Sequence, residues 1–238
     1  MKARERLNFL LHYLGYSIEP YNQVGGLFFG LHQYRDKSGN FDYEQYRSVQ
    51  IEGNVRKITN VFAKEENIRF LSNYIVSAIG QPRFGVCHGT RRGMEQIWFR
   101  KYLNCEVFGT EISHTAAQFP DTIQWDFHQI KNEWIDKFDF IYSNALDHSY
   151  DPRACLRAWM SCVRPGGLCI IEHTFLHESL RRNELDPFGV RLEWMPYLIT
   201  QWGEGRFGVR RILNAPDRGD YPCIHEIVIQ RFEKDDST

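Results

Sequence analysis

Phe138-Asp139-Phe140-Ile141-Tyr142-Ser143-Asn144-Ala145-Leu146-Asp147-His148-Ser149-Tyr150-Asp151-Pro152, resumed one helix later by Val163-Arg164-Pro165-Gly166-Gly167-Leu168-Cys169-Ile170-Ile171, is the stretch that decides the fold. It opens on a short apolar run, Phe138–Asn144, of the length of a buried strand. Asp151-Pro152 then starts a helix, since aspartate is a preferred N-cap and proline suits the first helical turn. Cys155, Ala158, Trp159 and Cys162 form the apolar stripe of that helix. Arg164-Pro165-Gly166-Gly167 ends it, and Leu168–His173 reads as the next strand. Strand, helix, strand in that order is the unit of a parallel sheet, because the chain must cross over before it can run in the same direction again.

The alternation continues on both sides. Upstream, a helix begins near Glu65, carries Ile68, Leu71, Ile75, Ala78 and Ile79 on one face, and is stopped by Gly80 and Pro82. Arg83–Cys87 is a strand, followed by a glycine-containing loop and a helix from about Gly93 to Tyr102. Glu106–Glu111 and Thr122–Phe127 are two further strands. Downstream, a helix is expected near Val190–Trp202. The strands Phe207–Leu213 and Ile224–Phe232, separated by the turn residues Asn214–Pro222, suggest a closing hairpin. The N-terminus holds Leu7, Leu10, Leu11 and Leu14 at helical spacing before Gly15, which predicts a short amphipathic helix. Residues 1 to about 62 are otherwise hard to parse, but they are too aromatic to be a linker. The expected organisation is an N-terminal extension over 1–80 and an α/β domain over 81–238.

Composition narrows the function. The 238 residues carry 29 Lys and Arg against 30 Asp and Glu, a net charge of −1, with 15% aromatics. That excludes an intrinsically disordered chain. It also gives no overall positive excess to hold phosphates, so nucleic acid is an unlikely partner. No run approaches the length of about 20 apolar residues that a membrane span needs. The six cysteines include no C-x-x-C pair and no zinc-ligand spacing. They read as reduced, buried, small apolar side chains of a cytoplasmic protein, and no metal site is expected.

In an open parallel sheet, ligands bind beyond the carboxyl ends of the strands. The residues there are the loop Cys87-His88-Gly89-Thr90-Arg91-Arg92-Gly93, then Glu111, Asp126, and Asn144 to Ser149. The loop joins a strand to a helix, lets the backbone approach a ligand closely and offers free N–H groups; a loop of this kind can also be only a turn. Glu111 can accept both hydroxyls of a ribose, or be a solvated strand-end acid. Asp126 can accept an exocyclic amine, with Phe127 as an apolar neighbour, or be a helix cap. The three fall on consecutive strands.

On these residues, and most specifically on Phe138–Pro152 and the Pro-Gly-Gly turn that follows, the chain resembles the class I S-adenosylmethionine-dependent methyltransferases of small molecules over about residues 83–232. The resemblance implies a Rossmann-like, doubly wound, mostly parallel seven-stranded sheet with a closing antiparallel hairpin. It implies S-adenosylmethionine as cofactor, with Cys87, Gly89 and Thr90 along the methionine and ribose, Glu111 on the ribose hydroxyls and Ile112 beside the adenine. Asp126 and Phe127 would meet the adenine, and the Asn144 backbone the methionine end. The first motif departs from the family pattern: Gly85 stands where an acid is usual, and Cys87 and Arg91 replace two glycines.

The expected activity is methyl transfer to a small molecule, such as a sugar or another hydroxyl compound. The alternatives are a cofactor binder that has lost catalysis, and a nicotinamide-dependent reductase, against which the loop lacks G-x-G-x-x-G. His148 is the candidate catalytic residue. It lies in the loop where the reacting methyl should emerge and could take a proton from an acceptor hydroxyl; the competing reading is that it only holds the loop.

Overall fold

The computed structural model describes residues 29–217, 219 and 223–233. The amphipathic helix expected around Leu7–Leu14 lies outside the described residues. In chain order the main elements are β1 (Phe29–Leu31), α1 (Tyr43–Arg56), α2 (Glu65–Ile79), β2 (Phe84–His88), α3 (Met94–Leu103), β3 (Glu106–Glu111), β4 (Thr122–Gln124), β5 (Phe138–Ser143), α4 (Pro152–Cys162), β6 (Val163–Thr174), β7 (Phe188–Val190), α5 (Met195–Gly203), β8 (Phe207–Asn214) and β9 (Ile224–Arg231).

Seven strands form one sheet in the order β4-β3-β2-β5-β6-β9-β8. The strands β4, β3, β2, β5 and β6 are parallel neighbours, and β9 is antiparallel to both β6 and β8. This is the doubly wound sheet with a closing hairpin that the sequence predicts. Its order reverses between β2 and β5, so the crevice for a ligand opens where those two strands end.

Each sheet face is covered by helices whose apolar stripes the sequence displays. Ile68, Leu71 and Ile75 of α2 and Phe99 and Leu103 of α3 pack with Phe140, Tyr142 and Ile170 on one face. Leu156 and Trp159 of α4 and Ile199 and Trp202 of α5 pack with Phe138, Ile141 and Ile171 on the other. Asp151 caps α4 as expected, its side chain accepting from the Ala154 N–H. All six cysteines are free and four are buried.

Several boundaries differ from the sequence expectation. The strand expected over Thr122–Phe127 leaves the sheet after Gln124, because the Asp126 carboxylate accepts from the His128 N–H and turns the chain. The helix α4 ends at Cys162 rather than at the Pro-Gly-Gly turn, and β6 already begins at Val163, with a register irregularity against β5. The helix expected over Val190–Trp202 is shorter: Phe188–Val190 pair with β1 as a small two-stranded sheet, and the helix starts only at Met195, with Pro196 in its first turn. The long helix α1 has no counterpart in the sequence reading. No helix among the described residues is long and apolar enough to cross a membrane.

Candidate active site

Two adjoining cavities open at the carboxyl ends of β2, β3 and β5. The first encloses about 840 Å³ and the second about 500 Å³, open solvent included. Gly89, Arg91, Ala145, His148 and Lys57 border both, so they form one bipartite cleft.

The β2–α3 turn forms its floor. Gly89 has φ +72°, and a Cβ there would lie 2.6 Å from the Ala145 Cβ, so only glycine lets the two loops meet. Arg91, where the family pattern has glycine, also takes a left-handed conformation, φ 43°. The conformation directs its backbone N–H to Glu111 Oε2 at 3.0 Å. His88 does not reach the cleft: its Nδ1 pairs with Thr110 Oγ1 at 2.8 Å and its ring stacks on Trp159. Burial pushes its pKa down to about 3.

Glu111 is buried at the end of β3. Oε1 accepts from the Ser113 N–H and Oε2 from that of Arg91. Each oxygen keeps one acceptor position, the number two vicinal hydroxyls would use. Burial raises its pKa, opposed by those two N–H groups and by Arg91 and His148.

Asp126 is committed further. Oδ1 accepts from both the backbone N–H and Nδ1 of His128, and Oδ2 accepts from the Tyr43 hydroxyl at 2.8 Å. Burial would raise its pKa, but the hydrogen bonds from His128 and Tyr43 outweigh it and hold the carboxylate below its usual range. One acceptor position on Oδ2 remains. His128 Nε2 meets Ser149 Oγ at 2.8 Å, completing a chain with the connectivity of an Asp-His-Ser triad. Ser149 is fully buried, so this chain braces the loop and offers no nucleophile to a ligand.

His148 is held from two sides. Its Nδ1 lies 2.9 Å from Gln50 Oε1 and 2.8 Å from the Leu185 carbonyl. Both are acceptors, since Gln50 Nε2 itself donates to the Leu185 carbonyl. Nδ1 therefore carries a proton, and Nε2 lies 3.8 Å from Asp186 Oδ1. Asp147, His148 and Asp186 each bring one ligand atom within 4.8 Å of the others, the one grouping among the described residues that could hold a metal ion.

Of the residues singled out from sequence, Thr90 and Asn144 line the first cavity, Glu111, Ile112, Asp126 and Phe127 the second, and Gly89 and His148 both. Cys87 lies apart. Its side chain is fully buried among Ile68, Leu71 and Phe99 on the α2–α3 face, and only its backbone adjoins the turn.

Sequence reasoning missed the contribution of α1. Tyr46, Gln50, Gly53 and Asn54 are its buried residues, and all four line the second cavity. Asn54 Oδ1 accepts from the Thr115 hydroxyl at 2.8 Å. The aromatic residues of this region also hold the structure together. Tyr46 packs edge-on against Tyr34 and Tyr150, and Tyr150 stacks on His128 at 3.8 Å.

Residues 86–171, from β2 into β6, match the family described as a methyltransferase domain. The match lies within the segment that resembles methyltransferases in sequence. No curated protein sequence matches the chain. Among solved structures, the fold is shared with the 1,6-didemethyltoxoflavin-N1-methyltransferase of Burkholderia thailandensis, crystallised with 1,6-didemethyltoxoflavin and S-adenosylhomocysteine: 13% identity, 84% of this chain and 94% of that one covered, TM-score 0.63. It is shared with the plantazolicin methyltransferase BpumL in complex with a triazolic substrate analogue and S-adenosylhomocysteine, at 11% identity, 80% and 98% coverage and TM-score 0.60. The N-methyltransferase NodS of Bradyrhizobium japonicum, in complex with S-adenosylhomocysteine, is similar at 12% identity, 77% and 99% coverage and TM-score 0.56.

Proposed function

We propose that this protein transfers a methyl group from S-adenosylmethionine to a small-molecule acceptor. The observation that carries the reading is the cleft at the β2/β5 switch point, built from Gly89, Glu111, Phe127 and Asn144 at or beyond the ends of the parallel strands. The residues suit the cofactor. The missing Cβ at Gly89 leaves room for close backbone approach, the free acceptor positions of Glu111 suit a ribose diol, and Ile112 and Phe127 offer an apolar wall to a base.

S-adenosylmethionine supplies an activated methyl group on a sulfonium. What remains for the protein is to align the acceptor with that methyl. The two cavities meet at His148, whose Nδ1 is held by Gln50 and the Leu185 carbonyl while Nε2 faces Asp186. We take the acceptor to be a hydroxyl compound, such as a sugar, whose proton would pass to Nε2 as its oxygen takes the methyl and the methyl–sulfur bond breaks, the sulfur keeping the electron pair as a thioether. The N-terminal extension then borders the acceptor side through Lys57 and Phe62, while Gln50 and Asn54 border the cavity of Glu111 and Phe127.

Calorimetric titration with S-adenosylhomocysteine, S-adenosylmethionine and NADH tests the assignment. The expected result is micromolar binding of the first two, a rise in Tm with each, and no response to NADH. Binding of NADH alone would turn the reading to a reductase, and no binding of any at millimolar concentration would end it.

A further inference from the structure

The ligand proposed for the cleft ends in an α-amino acid, whose ammonium carries a positive charge at neutral pH. A charge brought into a buried site needs a counter-ion there. Position 85, where related loops place an acid, cannot provide one. A Cβ on Gly85 would lie 2.4 Å from the Phe140 ring, so that ring fills the space a carboxylate would occupy. His88 is also spent, on Thr110 and Trp159.

Three buried acids line the first cavity: Glu95, Asp147 and Glu172. Glu172 Oε2 accepts from the Tyr142 hydroxyl. Asp147 stands beside His148 on the side assigned to the acceptor; its Oδ2 faces His177 Nε2 at 3.6 Å, and its Oδ1 has no hydrogen-bond partner among the described residues. Glu95 lies in the first turn of α3, two residues after Gly93, on the wall shared with Gly89, Thr90 and Met94. It is 6% exposed, and its Oε2 has no hydrogen-bond partner among the described residues. A buried carboxyl oxygen left without a partner beside a cavity is costly unless a ligand completes it.

We infer that Glu95 is the counter-ion for the ammonium of the cofactor's methionine end, standing in for the acid absent at position 85. This role rests on the cofactor reading above and deepens it. The groups facing Glu95 set its protonation. Burial pushes its carboxyl up to about 8; Glu172 on β6 and Glu111 on β3 add to the rise, and its own backbone N–H and Arg91 of the loop oppose it. Tyr142 on β5 and Cys87 on β2 face it as neutral groups, since burial raises both well above their usual values. In the free protein at pH 7 Glu95 therefore keeps its proton. The arriving ammonium favours the carboxylate, so the proton leaves to solvent as the ion pair forms. Affinity should fall as the pH is lowered below about 8.

The test compares S-adenosylhomocysteine with 5′-methylthioadenosine, which keeps the adenosine and the sulfur but lacks the amino-acid end. Both are titrated calorimetrically into the full chain at pH 7, in buffers of different ionisation heat. For the wild type, S-adenosylhomocysteine should release close to one proton and methylthioadenosine none. Glu95→Gln should weaken S-adenosylhomocysteine by about ten- to a hundred-fold, the scale of a lost hydrogen bond to a charged group, and leave methylthioadenosine within about two-fold. Glu95→Asp repeats the comparison should the glutamine variant fold poorly. Equal losses for both ligands, or an unchanged S-adenosylhomocysteine affinity without proton release, would overturn the assignment of Glu95. Failure of the wild type to bind either ligand would instead remove the cofactor reading and this inference with it.

Discussion

The β5–α4–β6 segment and helix α1 face the same cleft but are built on opposite principles. In α4, Cys155, Leu156, Trp159 and Met160 are all buried, and the helix is strongly one-sided. The buried side of α1 is Tyr46, Gln50, Gly53 and Asn54, with no apolar stripe. The first helix is held by apolar burial, worth about 25 cal/mol per Å² removed from water. The second is held by directed polar contacts: Gln50 to the Leu185 carbonyl and to His148, and Asn54 to Thr115. An element that covers a hydrophobic sheet announces itself by periodicity. An element that presents polar groups to a ligand does not.

The largest expected effect lies on the apolar side. Trp159 is fully buried, stacks on His88 and donates its indole N–H to the Phe127 carbonyl at 2.9 Å. Trp159→Ala should cost about 3–5 kcal/mol of stability by denaturant titration, typical of a large aromatic removed from a core. A cost below about 1 kcal/mol would mean that α4 is not the anchor it resembles.

On the polar side the expected loss is in rate rather than stability. With an acceptor in hand, His148→Ala should retain S-adenosylhomocysteine affinity and Tm but lose about 10²–10⁴ in kcat, the range for a lost general base. Gln50→Leu removes one of the two groups that hold the Nδ1 proton, so it should show a smaller drop of the same kind, with its pH–rate profile displaced. If His148→Ala mainly lowers Tm and the folded fraction stays fully active, His148 holds the loop and methyl transfer proceeds by alignment alone.

The same contrast explains what is legible in the sequence. The parallel sheet, its closing hairpin and α2, α3 and α4 follow from apolar runs, stripes and caps, and the strand-end positions of Gly89, Glu111, Phe127 and Asn144 follow from them. The limits of α5 do not follow, because Phe188–Val190 continue the apolar pattern of that helix yet pair with β1. Helix α1 is hidden by its polar face. The commitment of Asp126 to Tyr43 and His128 is hidden because the first contact spans 83 residues and the second depends on a turn that cuts β4 short. The expectation for Cys87 sets it too near the ligand: alternation along β2 sends its side chain into the core.

The placement of the cofactor stands most directly on Glu111, whose two unused acceptor positions are read as the seat of the ribose. Calorimetry of S-adenosylhomocysteine against Glu111→Ala should show binding weakened by about 1–3 kcal/mol, the cost of losing charge-assisted hydrogen bonds, with the fold intact. An affinity equal to that of the wild type would take Glu111 out of the site and contradict a cofactor seated at the ends of β2, β3 and β5.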